Sequence, residues 1–121
     1  MPAERGAVYL MELEASGPGG VGTKWAEKFV VLLQNPNVMG TGETHFAFVI
    51  ASTDRTGTHE PSGYEVRLGI DDGFNHSTIV DGRWVLTNPR ERLNKAEYRF
   101  TLSEERMEQI ADAIVAGLQL W

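Results

Sequence analysis

The hydrophobic period of this chain changes once, and that change limits the folds open to it. Up to Thr101 the apolar residues alternate or come in short continuous blocks, the marks of half-buried and fully buried strands. Beyond Ser103 they recur at Met107, Ile110, Ala111, Ile114, Val115 and Leu118, a single stripe at helical spacing. Ser103 is suited to cap this helix, and Glu104 and Glu105 sit where its dipole favours negative charge. One amphipathic helix cannot bury its stripe alone, so it must lie over strands.

The strands are read from residue alternation and from the turns that bound them. Ala7–Leu13 carries a wholly apolar face of Ala7, Tyr9, Met11 and Leu13. Lys28–Leu33 is nearly all apolar, and Thr44–Ala51 puts Phe46, Phe48 and Ile50 on one face, His45, Ala47, Val49 and Ala51 on the other. Tyr64–Leu68, Ser77–Asp81, Trp84–Thr87 and Glu97–Thr101 follow. Between them stand Gly17–Gly22, a flexible loop by composition, Asn35-Pro36-Asn37, Asp71-Asp72-Gly73 and Asn88-Pro89. Asp81-Gly82 between two strands reads as a hairpin turn. The expected fold is mainly β: a small, strongly bent antiparallel barrel with a C-terminal amphipathic helix. At 121 residues it is expected to form one domain over 1–121, burying roughly two-thirds of its unfolded surface.

Charge and cysteine usage narrow the function classes. With no cysteine there are no disulfides, thiolate metal sites or cysteine nucleophiles. Eleven bases against seventeen acids leave a net charge of −6, which argues against a general nucleic-acid coat and permits only a local basic cleft. Arg83, Arg90, Arg92, Lys95 and Arg99 crowd one stretch. No apolar run approaches a membrane span, and the first residues do not read as a signal peptide, so a cytoplasmic protein without membrane contact is expected. His45 is expected to be partly buried, His59 solvated in a polar loop, and His76 near Asp72 falls short of a metal set, so no metal or cofactor is expected. Trp121 is expected to pack back on the barrel.

The order of these pieces resembles the PemK/MazF toxin family. The likeness is carried by Arg5-Gly6-Ala7-Val8-Tyr9-Leu10, by Lys28-Phe29-Val30-Val31-Leu32, where the family has Arg-Pro and an aliphatic run, and by Val49-Ile50-Ala51-Ser52-Thr53-Asp54-Arg55. It continues through Glu65-Val66-Arg67-Leu68, Thr78-Ile79-Val80-Asp81, Arg92-Leu93 and the helix from Leu102 to Leu118. The resemblance implies an SH3-like barrel and a metal-free endoribonuclease of a toxin–antitoxin pair. It implies a homodimer with single-stranded RNA between protomers and an acidic antitoxin segment competing for that surface.

Metal-free RNA cleavage needs a base for the ribose 2′-hydroxyl, an acid for the leaving 5′-oxygen, and donors around the charged phosphorus. The resemblance points to Lys28, in place of the family's arginine, as charge stabiliser, to Thr53 as a donor to a phosphate oxygen, and to Asp81 as the base or as the group that orients one. Lys24, Arg55 and Arg83 are the expected substrate-binding bases. Each has a plainer reading: Asp81 as a turn residue, Lys28 as a solvated strand charge, Thr53 as a strand-end cap. The alternative function is a non-catalytic binding module on the same fold, its ribonuclease activity lost.

Overall fold

The computed structural model describes residues 4–16, 23–34, 45–54 and 56–119. Its strands are β1 (Ala7–Ser16), β2 (Thr23–Leu32), β3 (His45–Thr53), β4 (Glu65–Leu68), β5 (Thr78–Pro89) and β6 (Glu97–Thr101), followed by helix α1 (Glu104–Leu118). All neighbours pair antiparallel in the order β4-β5-β3-β2-β1-β6. The sheet curls into a half-barrel, with β4 and β6 as its two edges. The loop 17–22 and Trp121 lie outside the described residues.

Each sheet face packs against a different partner, the second face only in part. Val8, Val31, Val49, Ala51, Val66 and Val80 meet Met107, Ile110 and Ala113 of α1. The alternate residues Ala7, Tyr9, Met11, Val30, Leu32, Phe46 and Phe48 meet Leu93 and Ala96 around the 3-10 segment Arg90–Lys95. Both faces expected for β1 and β3 are therefore present in register. The curl is filled by Phe74, which follows the 3-10 turn Ile70–Asp72. Gly73, at φ +120°, makes the reversal a side chain would strain. Phe74 then stands edge-on between Phe29 of β2 (5.5 Å) and Phe100 of β6 (4.8 Å), joining the two strands that flank β1.

Four expectations change. β2 begins at Thr23 rather than Lys28, because it pairs with β1 from Val8↔Val31 to Ser16↔Thr23. That pairing puts Lys28 within a strand, not at its start. His45 is exposed, since it occupies the last rung of the β3–β5 ladder, opposite Pro89. Asp81-Gly82 is not a hairpin turn, because β5 continues through it as one strand of 12 residues. Between the rungs Ala51↔Val80 and Val49↔Val85, Ile50 alone faces Asp81–Trp84, so β5 bulges and bends there. The buried stripe of α1 also differs: Met107, Ile110 and Ala113 are buried, while Ala111, Val115 and Leu118 are exposed.

The last two changes share a cause. The backbone of α1 rests directly on the bent part of β5. A Cβ on Gly82 would collide with the Ala113 carbonyl and lie 2.7 Å from Ile114 N. One on Gly117 would lie 2.8 Å from Arg83 N. Two glycines thus set the approach and rotate the helix so that Ala113 and Gly117 face the sheet. Ser103 caps α1 as expected, its hydroxyl accepting from Arg106 N–H at 3.2 Å.

Gly82→Ala is expected to destabilise the fold by roughly 1–3 kcal/mol, because backbone rather than a movable side chain fills the space. Ser103→Ala should cost about 1 kcal/mol through the lost cap. Urea denaturation of the two variants against the parent chain measures both.

Candidate cleft on the outer face of the sheet

The bulge in β5 determines where the polar chemistry collects. Val80 and Val66 point to the α1 side, so Asp81 and its cross-strand neighbour Glu65 point to the other. Ile79, Ser52 and Ile50 share that face. The Arg90–Lys95 segment covers the β1–β3 part of it and leaves the β3–β5–β4 part open. A cleft of about 400 Å³ results, lined by Ile50, Ser52, Thr53, Asp54, His59, Glu65, Ile79, Asp81 and Trp84. Its floor is aliphatic, and Trp84, 63% exposed, stands among its walls.

Like charges directly opposite in a sheet repel, so Glu65 and Asp81 each need a partner. Asp81 accepts from the Arg83 backbone N–H (2.9 Å), Nε (3.1 Å) and a terminal guanidinium nitrogen (2.8 Å). The guanidinium also lies 4.2 Å from the centre of the Tyr64 ring. Glu65 accepts from Ser62 N (3.1 Å) and Ser62 Oγ (3.0 Å), and from His59 Nε2 at 3.0 Å. Asp54 accepts from Arg67 (3.1 Å) and from His59 N–H (3.2 Å).

These contacts move the carboxyls in one direction. Hydrogen bonds from Arg83 hold Asp81 below its ordinary 3.8 against the upward push of burial. Burial pushes Asp54 up, but Arg67, His59 N–H and Thr56 together bring it below its ordinary value. Burial likewise raises Glu65, and the His59 and Ser62 bonds outweigh it. All three are therefore ionised acceptors.

Of the residues singled out from the sequence, Thr53 and Asp81 line this one cleft and Arg83 grips Asp81. Thr53 Oγ1 is 2.8 Å from His76 Nε2. Lys28 stands outside the cleft, in an adjoining groove of about 310 Å³ with Leu13, Ala26, Phe48, Ile50, Leu86, Thr87 and Asn88. Ile50 borders both hollows. Arg55 lies outside the described residues, and of Lys24 only the backbone pairing with Ala15 is described. His76 and Asp72 take separate partners, Thr53 and Arg106.

The sequence reading missed Glu65, Trp84 and His59 as members of this site. Glu65 and Asp81 differ by sixteen positions, and only strand pairing makes them neighbours. The available signal was a carboxylate on the outward face of the short Tyr64–Leu68 strand.

Fold and cleft together define a class: a mainly-β protein, a curled antiparallel half-barrel under one C-terminal helix, with an ion-paired cleft on the uncovered sheet face. No protein-family model and no curated protein matches the chain. Among solved structures it is similar to an endoribonuclease in complex with its cognate antitoxin from Mycobacterial species, with a TM-score of 0.67 and 19% identity over 98% of this chain and 96% of that one. It is also similar to another solved structure, an endoribonuclease from Mycobacterial species, with a TM-score of 0.69 and 18% identity over 98% and 93%. At this identity the shared property is the fold. It is the fold of these endoribonuclease structures, mainly β with one C-terminal helix, as the order of sequence segments leads one to expect. Among the described residues no helix is long and apolar enough to cross a membrane.

The lowered carboxyls predict how stability depends on pH. A carboxyl whose folded pKa is depressed lends stability above its unfolded value, here near 3.8 for Asp and 4.5 for Glu. That stability is lost as pH falls through the depressed folded value. The urea midpoint should hold between about pH 7 and about pH 5 and drop steadily below about pH 4. Asp81→Asn should flatten that drop, as it removes one of the linked protons.

Proposed function

We propose that the protein is a toxin-like endoribonuclease that cleaves single-stranded RNA without a metal, by attack of the ribose 2′-hydroxyl on the adjacent phosphorus. The observation that carries this reading is the meeting of Thr53 and Asp81 in one cleft, with Arg83 clamped beside them. The likeness to endoribonuclease folds supports it.

Each group has a part in that chemistry. The Arg83 guanidinium keeps donors beyond those spent on Asp81, and a planar cation of this kind suits a phosphate whose charge grows during attack. Asp81 orients Arg83; held low and triply bonded, it is a poor proton acceptor. Thr53 Oγ1 donates to a non-bridging phosphate oxygen, its direction set by His76. Trp84 offers a face on which a splayed base stacks. Lys28, one groove away, attracts the backbone of the neighbouring nucleotide, as would Lys24 and Arg55. The substrate must be RNA, since DNA lacks the attacking hydroxyl.

In this reading the protein is a homodimer with RNA lying between protomers, and an acidic antitoxin segment competes for Lys28 and Arg83. One neighbour's own complex with an antitoxin supports such a partner. The protein acts in the cytoplasm, where RNA and antitoxin are made. A second reading, a binding module that has lost the chemistry, is favoured by one feature: three carboxylates line the cleft, which hinders a polyanion.

Incubation of the purified protein with a long mixed-sequence RNA in EDTA separates the two. Cleavage to 2′,3′-cyclic phosphate ends, reduced about 10²-fold or more in Thr53→Ala, is the expected result. Intact RNA with a folded protein supports the binding module.

A further inference from the structure

Cleavage by the 2′-hydroxyl needs a group that accepts its proton, and most acceptors in the cleft are already engaged. Asp81 is held by Arg83 through its backbone and its side chain. Asp54 is bonded by Arg67, Thr56 and His59 N–H. Glu65 is 12% exposed and takes bonds from Ser62 and His59. His76 directs Nε2 to Thr53.

His59 is different. Its side chain is 48% exposed and lines the cleft. Nε2 lies 3.0 and 3.1 Å from the two Glu65 oxygens. An ionised carboxylate can only accept, so Nε2 must carry the proton. In the neutral ring Nδ1 then holds a bare lone pair, and it makes no hydrogen bond with a described residue. The ring is also fixed in place. Its backbone N–H is tied to Asp54, and Glu65 is tied in turn to Ser62 N and Oγ. A carboxylate behind one imidazole nitrogen, with the other left without a partner among the described residues, is the arrangement that sets tautomer and direction for proton transfer.

We propose that His59 is the general base of the endoribonuclease reaction and that Glu65 is its positioning residue; the proposal rests on the endoribonuclease reading above. Nδ1 takes the 2′-hydroxyl proton as the 2′-oxygen bonds to phosphorus. The P–O5′ bond breaks, and the leaving 5′-oxygen takes a proton from solvent water. The imidazolium then returns its proton to solvent. The products are a 2′,3′-cyclic phosphate and a 5′-hydroxyl, with no net change in protons and no redox step. This role was hidden in the sequence, where His59 reads as a solvated residue of a polar loop.

The test compares the full chain with His59→Ala, His59→Gln and Glu65→Ala on an end-labelled single-stranded RNA in EDTA. His59→Gln keeps an N–H for Glu65 but cannot take a proton, so it separates chemistry from folding. Both His59 variants should lose about 10²- to 10⁴-fold in kcat with KM nearly unchanged. Added imidazole should restore part of the His59→Ala rate. Glu65→Ala should lower kcat and leave KM nearly unchanged. A His59→Gln variant that cleaves at the parent rate, or a His59→Ala variant deaf to imidazole, overturns the assignment while leaving the endoribonuclease reading standing. A parent chain that leaves RNA whole overturns both.

Discussion

The contact between two backbones, β5 at Gly82 and α1 at Ala113 and Gly117, is the constraint on which the rest of this structure depends. It is possible because neither glycine has a Cβ, and it holds β5 where four of its residues pass one residue of β3. The bend brings Asp81, Arg83 and Trp84 to the uncovered face. Had Asp81-Gly82 been a hairpin turn, these side chains would cap a loop instead of lining a cleft.

The electrostatics of the cleft follow from that placement. Strand pairing sets Glu65 opposite Asp81, an arrangement that costs energy unless each charge is answered. Arg83 answers one and the His59–Ser62 pair the other, while Arg67 answers Asp54. Two guanidiniums and a hydrogen-bonded imidazole offset these three carboxylates only in part, so the acidic character of the chain, −6 overall, is softened here rather than reversed. Phosphate binding in such a place depends on a few well-oriented donors more than on a broad positive field. An oriented guanidinium and a directed hydroxyl are donors of that sort.

How much of this was legible in sequence differs by scale. The β and α segments could be read because alternation and helical spacing are local; two expected strands, Ser77–Asp81 and Trp84–Thr87, merged into β5, and boundaries shifted where pairing partners extended them, as β1 extends β2. The face assignments of Ala7, Tyr9 and Met11 and of Phe46 and Phe48 followed from the two-residue strand period alone. Thr53 and Asp81 could be named from resemblance, whereas Glu65 and His59 could not, because their significance lies in what stands across from them.

The sequence by itself determined a mainly-β chain ending in a capped amphipathic helix, with a core drawn from two alternating strand faces. Local spacing carries that information, since burial selects for it residue by residue. Only the tertiary structure decided that Asp-Gly would bend a strand instead of ending it, that the helix would turn Ala113 and Gly117 inward, and that His59 would meet Glu65. Those outcomes arise from contacts between segments far apart in the chain, and no local pattern encodes the distance of approach between them.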